Sequence, residues 1–229
     1  MNKTVLIFGA SQGIGKELVL QFAKESNTTV LALSRNIDLM NKNFNSKQIH
    51  SYQFDLASEN RKSVIEAILQ NYSHIDIVIN NAGLLINKPF LELTSDEIIN
   101  SYRINVVSVM ECTQMVVPLM EKDGGHIVNI SSMGGFQGSV KFPGLSAYAS
   151  SKAALASFTE IFAEEFKDSK IRMNCLCLGA TQTEMLEKAF PGYQAPISAS
   201  RMASYIHHFA NTGDEFINGK ILPVSLSTP

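Results

Sequence analysis

The segment Lys3-Thr4-Val5-Leu6-Ile7-Phe8-Gly9-Ala10-Ser11-Gln12-Gly13-Ile14-Gly15 decides the fold. Its first six residues read as a short strand, largely apolar and rich in β-branched side chains, as expected of a strand buried on both faces. An amphipathic helix follows, through about Glu25, with Leu18, Val19, Phe22 and Ala23 on its inward stripe. The glycine-rich turn between them exposes backbone N–H groups and the positive end of a helix dipole, which suits a phosphate. Glycine is needed there because a Cβ would block a pyrophosphate or the close packing of strand on helix. An ordinary glycine-softened turn has a similar composition, but the strand before it and the helix after it favour a dinucleotide site. The spacing, Gly-x-x-x-Gly-x-Gly, differs from the commoner Gly-x-Gly-x-x-Gly.

Outward from this unit, strands are expected near 3–8, 29–34, 48–54, 75–80, 125–131, 170–177 and 219–224, and helices near 13–25, 58–71, 95–120, 147–167 and 198–210. Such alternation predicts an α/β fold: a Rossmann-type, doubly wound parallel sheet of about seven strands with helices on both faces, in one domain over 1–229. No linker or repeat interrupts it, and the Asn/Lys/Ser-rich stretch 36–47 reads as a polar surface connection. Hydrophobic residues make up 45% of the chain and charged residues 17%, a globular composition. A net charge of −2 offers no footprint for nucleic acid or an anionic membrane. The first strand starts at once, leaving no room for a leader, and no apolar run approaches the ~20 residues of a membrane span. A cytoplasmic protein is expected. Cys112, Cys175 and Cys177 lack metal-ligand spacing, with Cys175 and Cys177 on one face of a strand; adjacent His207 and His208 cannot share a helix face, and no metal site is expected.

Tyr148 and Lys152, in Ala147-Tyr148-Ala149-Ser150-Ser151-Lys152, lie one helical turn apart and hence on one face. A free tyrosine titrates near pH ~10 and is a poor acid–base group at neutral pH. A cation beside it favours the phenolate and draws that pKa toward the working range. Alone, the pair is weak evidence, because such pairs commonly form a solvated helix face.

With the glycine motif, Asp55-Leu56, Asn80-Asn81-Ala82-Gly83, Asn105, Ile130-Ser131-Ser132 and Tyr148/Lys152 in this order, the chain resembles the single-domain short-chain dehydrogenase/reductases over nearly its whole length. The resemblance implies hydride transfer between a nicotinamide cofactor and a carbonyl or alcohol. It assigns Tyr148 as the proton donor and acceptor. Lys152 would lower the tyrosine's pKa and bond the nicotinamide ribose, and Ser132 would orient the carbonyl in preference to its neighbour Ser131. Asn105 would bend its helix and hold a water that links Lys152 to solvent. Cofactor contacts are implied at Gly9, Ser11, Gln12, Gly13, Ile14, Gly15, Ser34, Arg35, Asp55, Leu56, Asn81, Ala82, Gly83, Gly179, Thr181 and Thr183, besides Tyr148 and Lys152. Asp55 would meet the adenine amino group, Leu56 its ring, and Thr183 the carboxamide or phosphate; Asn81 would tie strands together. The apolar stretch Ala153, Leu155, Phe158 and Phe162 on the Tyr148 helix, with the Asn105 helix, implies a homodimer or homotetramer.

At the end of the second strand an Asp or Glu would favour NAD(H). The chain has Ser34-Arg35 there, a hydroxyl and a guanidinium that suit a 2′-phosphate, so NADP(H) is expected. Gln12 stands against this, since many NADP-preferring relatives carry a basic residue at that position. The chain departs from the pattern elsewhere too. Phe8 replaces a usual Thr, and Leu178 a usual Pro, whose loss should loosen the loop after the sixth strand. Ser132 lies 16 residues before Tyr148, three more than usual, and Met133–Ser146 would absorb the insertion and reshape the substrate pocket. A short lid region within 184–210 and an early stop at Pro229 suggest an open site. The rival expectations are a catalytically silent NADP(H)-binding sensor or scaffold, and a sugar-nucleotide epimerase or dehydratase. An intact Asn105/Ser132/Tyr148/Lys152 set argues against the first, and the glycine spacing against the second.

Overall fold

The computed structural model describes residues 2–226. Its strands are β1 (Lys3–Phe8), β2 (Thr28–Ser34), β3 (Ile49–Gln53), β4 (Ile77–Asn80), β5 (Gly125–Ser132), β6 (Ile171–Leu178), β7 (Thr181–Gln182), β8 (Ile197–Ser198) and β9 (Ile221–Val224). Seven of them form one parallel sheet in the order β3-β2-β1-β4-β5-β6-β9, while β7 and β8 pair with each other. The chain order reverses between β1 and β4, and a ligand crevice opens at such a point, beyond the carboxyl ends of the strands.

β1 shows why the opening segment is apolar on both faces. Val5 and Ile7 join a core with α1 (Gly13–Phe22), α2 (Ile37–Asn43) and α8 (Ala199–Thr212), through Leu18, Val19, Phe22, Met40 and Ile206. Leu6 and Phe8 enter the opposite core, with α3 (Arg61–Leu69), α5 (Ser108–Val116) and α6 (Ser146–Glu165), through Ile65, Cys112, Val116 and Phe162. Each such side chain contributes about 1.5–3 kcal/mol on burial. Phe8, where a Thr is usual, packs on Phe54 with ring centroids 5.6 Å apart.

Three expectations are corrected. The stretch 36–47 is not merely a connection, for it holds α2, which the Asn36 side chain starts by accepting a hydrogen bond from Leu39 N and which fully buried Met40 anchors. The helix expected at 95–120 is broken into α4 (Ser95–Tyr102), a π-helical turn (Arg103–Val107), α5 and a 3-10 turn (Val117–Leu119) holding Pro118. Ser108 Oγ lies 2.7 Å from Arg103 O and 2.6 Å from Leu56 O, and so occupies the carbonyl that the wider turn leaves askew. Finally, Leu155 and Phe162 are buried in the chain's own core rather than facing outward; Ala153, Ser157 and Ile161 form the exposed side of α6. The end at Pro229 lies outside the described residues.

A buried polar stripe crosses the sheet onto α6. Asn80 Nδ2 donates to Asn129 Oδ1 (2.7 Å), Asn129 Nδ2 to Thr159 Oγ1 (2.9 Å), and Thr159 Oγ1 to Leu155 O (3.0 Å). Asn129→Ala strands the Asn80 donor in a dry interior, where an unmet hydrogen bond costs about 1–3 kcal/mol. Urea denaturation is expected to show a loss of about 2–3 kcal/mol with an unchanged m-value.

Candidate active site

The glycine turn is shaped by close approaches. Gly9 and Gly13 have φ of 81° and 54°, in the left-handed region. A Cβ on Gly9 would lie 2.7 Å from Ala82 Cα, and one on Gly15 would collide with Gly9 O. Asn81 Nδ2 donates to that same Gly9 oxygen at 2.9 Å, tying the end of β4 to the turn. No side chain caps the start of α1, so its N–H groups face the mouth of the turn. The cradle therefore fits the pyrophosphate of a dinucleotide. Ile14 sits beside it, packed on the core.

The neighbouring positions follow the sequence order. Ser34 Oγ donates to Ser11 Oγ at 2.8 Å, and Asn43 Nδ2 to Ser11 O at 3.2 Å, so α2 braces the turn from outside. Arg35 is exposed and has no hydrogen-bond or ion-pair partner among the described residues. Asp55, just past the end of β3, accepts at Oδ1 from Ala57 N at 2.9 Å, beside buried Leu56. Gly179 N donates to Val224 O at 2.9 Å, and Leu178 continues β6 to pair with Val224. Thr181 Oγ1 bonds Gly179 O at 3.3 Å, and Thr183 caps α7 (Glu184–Ala189) by accepting from Leu186 N at 3.2 Å.

Tyr148, Ser132 and Lys152 meet where β5 ends and α6 begins. The Tyr148 phenol is buried close to Ser132, whose Oγ accepts from Gly134 N at 3.2 Å. Ser131, by contrast, points its buried hydroxyl at Lys152 O (2.8 Å), a bond inside the scaffold. Lys152 is 3% exposed; its Nζ donates to Ile130 O at 2.8 Å and lies 6.0 Å from the centre of the Tyr148 ring. Gly83 leaves this space open, since a Cβ there would stand 3.3 Å from both Lys152 Nζ and Asn105 Oδ1. Asn105, within the π turn, is fully buried and makes three hydrogen bonds. Its Oδ1 accepts from Leu84 N (2.8 Å), and its Nδ2 donates to Leu84 O (3.0 Å) and Ser151 Oγ (2.9 Å).

Burial governs the electrostatics. It pushes the Lys152 ammonium down to about 8, against the raising influence of the Cys175 and Cys177 thiols. It also lifts the Tyr148 phenol above its ordinary range, with the nearby Ser132 hydroxyl opposing and Cys177 adding to the rise. The expected lowering by Lys152 is thus not achieved by the polypeptide alone: the ammonium is aimed at Ile130 O, and desolvation of a buried phenol is the larger effect. Three participants escaped the sequence reading, namely the Ile130 carbonyl, the Leu84 backbone and Ser151. Only Ser151, polar in mid-helix beside Lys152, left a trace there.

Comparisons with known proteins bear on this arrangement. The family model described as short chain dehydrogenase matches residues 3–194. The chain belongs to the short-chain dehydrogenase family. It is an oxidoreductase of the class that acts on CH–OH and C=O groups. Among its relatives is the 3-oxoacyl-(acyl-carrier-protein) reductase FabG of Thermotoga maritima, 34% identical over 193 residues, which are 82% of this chain and 77% of the relative. Another is the NADP-dependent 3-hydroxy acid dehydrogenase of Schizosaccharomyces pombe, 33% identical, covering 83% of this chain and 76% of the relative. The structure of ElxO with NADP bound superposes with a TM-score of 0.85 at 30% identity, over 98% of each chain. The 4-hydroxyisoleucine dehydrogenase complexed with NADH gives 0.87 at 26%, over 98% of this chain and 97% of that one. No helix among the described residues is long and apolar enough to cross a membrane.

The buried ammonium has a measurable signature. A lysine with a folded pKa of about 8 and an unfolded value of 10.5 burdens the fold below pH 8, and is relieved as pH rises through that window. Lys152→Met should therefore be more stable than the parent at pH 7, by roughly 1–3 kcal/mol. That advantage should shrink steadily between pH 8 and 10, read as the difference in urea midpoints.

Proposed function

We propose that this protein reduces a small carbonyl compound to an alcohol with NADPH, or runs the reverse reaction, with Tyr148 moving the proton. The observation that carries the reading is the buried Tyr148 phenol, beside Ser132 and with the Lys152 Nζ 6.0 Å from its ring centre. The bound nicotinamide supplies the hydride. Ser132, already an acceptor from Gly134 N, holds its hydroxyl toward the carbonyl oxygen. Tyr148 gives that oxygen its proton as alkoxide character develops; a phenol lifted by burial keeps its proton until then. Lys152 stabilises the phenolate left behind and, at a pKa of about 8, can itself be reprotonated near neutral pH. Asn105, clamped to the Leu84 backbone, keeps the Lys152 side of the site rigid.

NADP(H) is favoured by Arg35, an exposed and unpaired guanidinium at the end of β2, beside the hydroxyls of Ser34 and Ser11. The names of the relatives support a carbonyl or hydroxy-acid substrate, and ElxO supports NADP. A homo-oligomer is supported by the apolar side chains exposed on α4, α5 and α6, among them Ile99, Met110 and Ile161. Three buried free cysteines fit a reducing, cytoplasmic setting.

Loss of reduced-nicotinamide absorbance with a panel of carbonyls tests the whole reading. Tyr148→Phe should lower kcat at least about 10³-fold while NADPH binding by fluorescence stays within about twofold. Turnover surviving in Tyr148→Phe would remove the proton-transfer role; NADPH binding without turnover on any carbonyl would leave a sensor. Ser132→Ala should cost about 10²-fold or more in kcat, and Ser131→Ala chiefly stability. Arg35→Asp should shift the NADPH/NADH affinity ratio toward NADH by about tenfold or more.

A further inference from the structure

Three loops leave the carboxyl ends of β4, β5 and β6 and surround the Ser132–Tyr148 pair: residues 83–94, the insertion 133–145, and the segment 183–198 that includes α7. They are joined at one point. Asn87 Nδ2 donates to Ala189 O, the last residue of α7, at 2.8 Å. Lys88 N donates to Gly144 O at 2.9 Å. Gly144 has φ 84°, and a Cβ there would collide with Asn87 Oδ1, so this glycine makes the room that Asn87 fills. The insertion is stiff up to that point, because Ser139 Oγ bonds Phe136 O at 2.8 Å while Lys141 Nζ reaches Gly134 O (3.1 Å) and Ser139 Oγ (2.8 Å).

We infer that Asn87 is a specificity-determining residue, the keystone of an arch over the Tyr148 site that admits slim carbonyl compounds with apolar bodies. The inference deepens the proposed reductase function and rests on it for the identity of the site. The limbs of the arch present apolar side chains to solvent, Val140 (54% exposed) and Phe142 (53%) on one and Met185 and Tyr193 on the other. Lys141 Nζ is held by carbonyl and hydroxyl oxygens of its own loop, Lys88 Nζ pairs with Glu97 at 3.0 Å, and Glu187 Oε1 accepts from Gly192 N at 3.1 Å. A wide substrate meets the Asn87 bridge.

The test compares wild type, Asn87→Ala and Gly144→Ala on benzaldehyde and benzil with NADPH. In the wild type, KM for benzil should exceed that for benzaldehyde by about fivefold or more. Both variants should lower KM for benzil at least about threefold, leaving kcat and the benzaldehyde KM within about twofold. An unchanged benzil KM, or a fall in kcat for every probe, overturns the keystone role. Trypsin supplies a readout free of turnover, since Lys188 immediately precedes the latched Ala189. Cleavage after Lys188 should be at least about fivefold faster in Asn87→Ala, and an unchanged rate overturns the latch. If no probe is turned over by the wild type, the reductase reading fails, while the proteolysis still judges the arch.

Discussion

An ammonium group is buried here with no carboxylate beside it. Lys152 is 3% exposed, its Nζ donates to a backbone carbonyl, and none of the ion pairs among the described residues includes it. A lone buried cation is costly unless something else needs it there. The surroundings make sense as a response to that constraint. Gly83 leaves room for the ammonium, and Ile130 turns a carbonyl toward it. The polarisable thiols of Cys175 and Cys177 lie on the same side of β6. Ser131 and Ser151 spend their hydroxyls fixing the helix that carries it, at Lys152 O and Tyr148 O.

The fixed and adjustable parts of the molecule are separated along the sheet. Below the crevice, β1, β4, β5 and β6 are packed on both faces, and their polar residues are mutually satisfied through Asn80, Asn129 and Thr159. Above it, three loops meet through single hydrogen bonds at Asn87 and Lys88. The open mouth expected from a short lid is therefore bridged. The loop that absorbs the longer Ser132–Tyr148 interval supplies the other end of the bridge, at Gly144.

The parallel doubly wound sheet, its helix-covered faces and most element positions were legible because they rest on periodicity. Strands apolar on both faces, alternating with helices of one apolar stripe, allow few architectures. The Tyr148, Lys152, Ser132 and Asn105 cluster was legible from family order, and the structure brings those residues together. What escaped depended on backbone atoms or on single anchors. The helix α2 hides in a polar stretch because a few side chains, Ile37, Met40 and Phe44, hold it to the core. Leu155 and Phe162 looked outward because a helix bearing a site on one side and a core on another has no clean stripe. The direction of the Tyr148 shift escaped too, since a sequence displays the neighbouring cation but not the depth of burial.

The π turn at Arg103–Val107 has a last consequence. One extra residue in a helical turn rotates everything beyond it by about 100°. Asn105 is clamped to Leu84 within that turn, while Val109, Cys112 and Val116 seat α5 in the core. The polar clamp and the packing face thus keep different phases of one helix, reconciled by a single residue of slack. Removing that residue would restore a regular hydrogen-bond ladder and turn one of the two faces away from its partner. Substitutions along 95–116 can be absorbed one side chain at a time, but the length of the segment is locked.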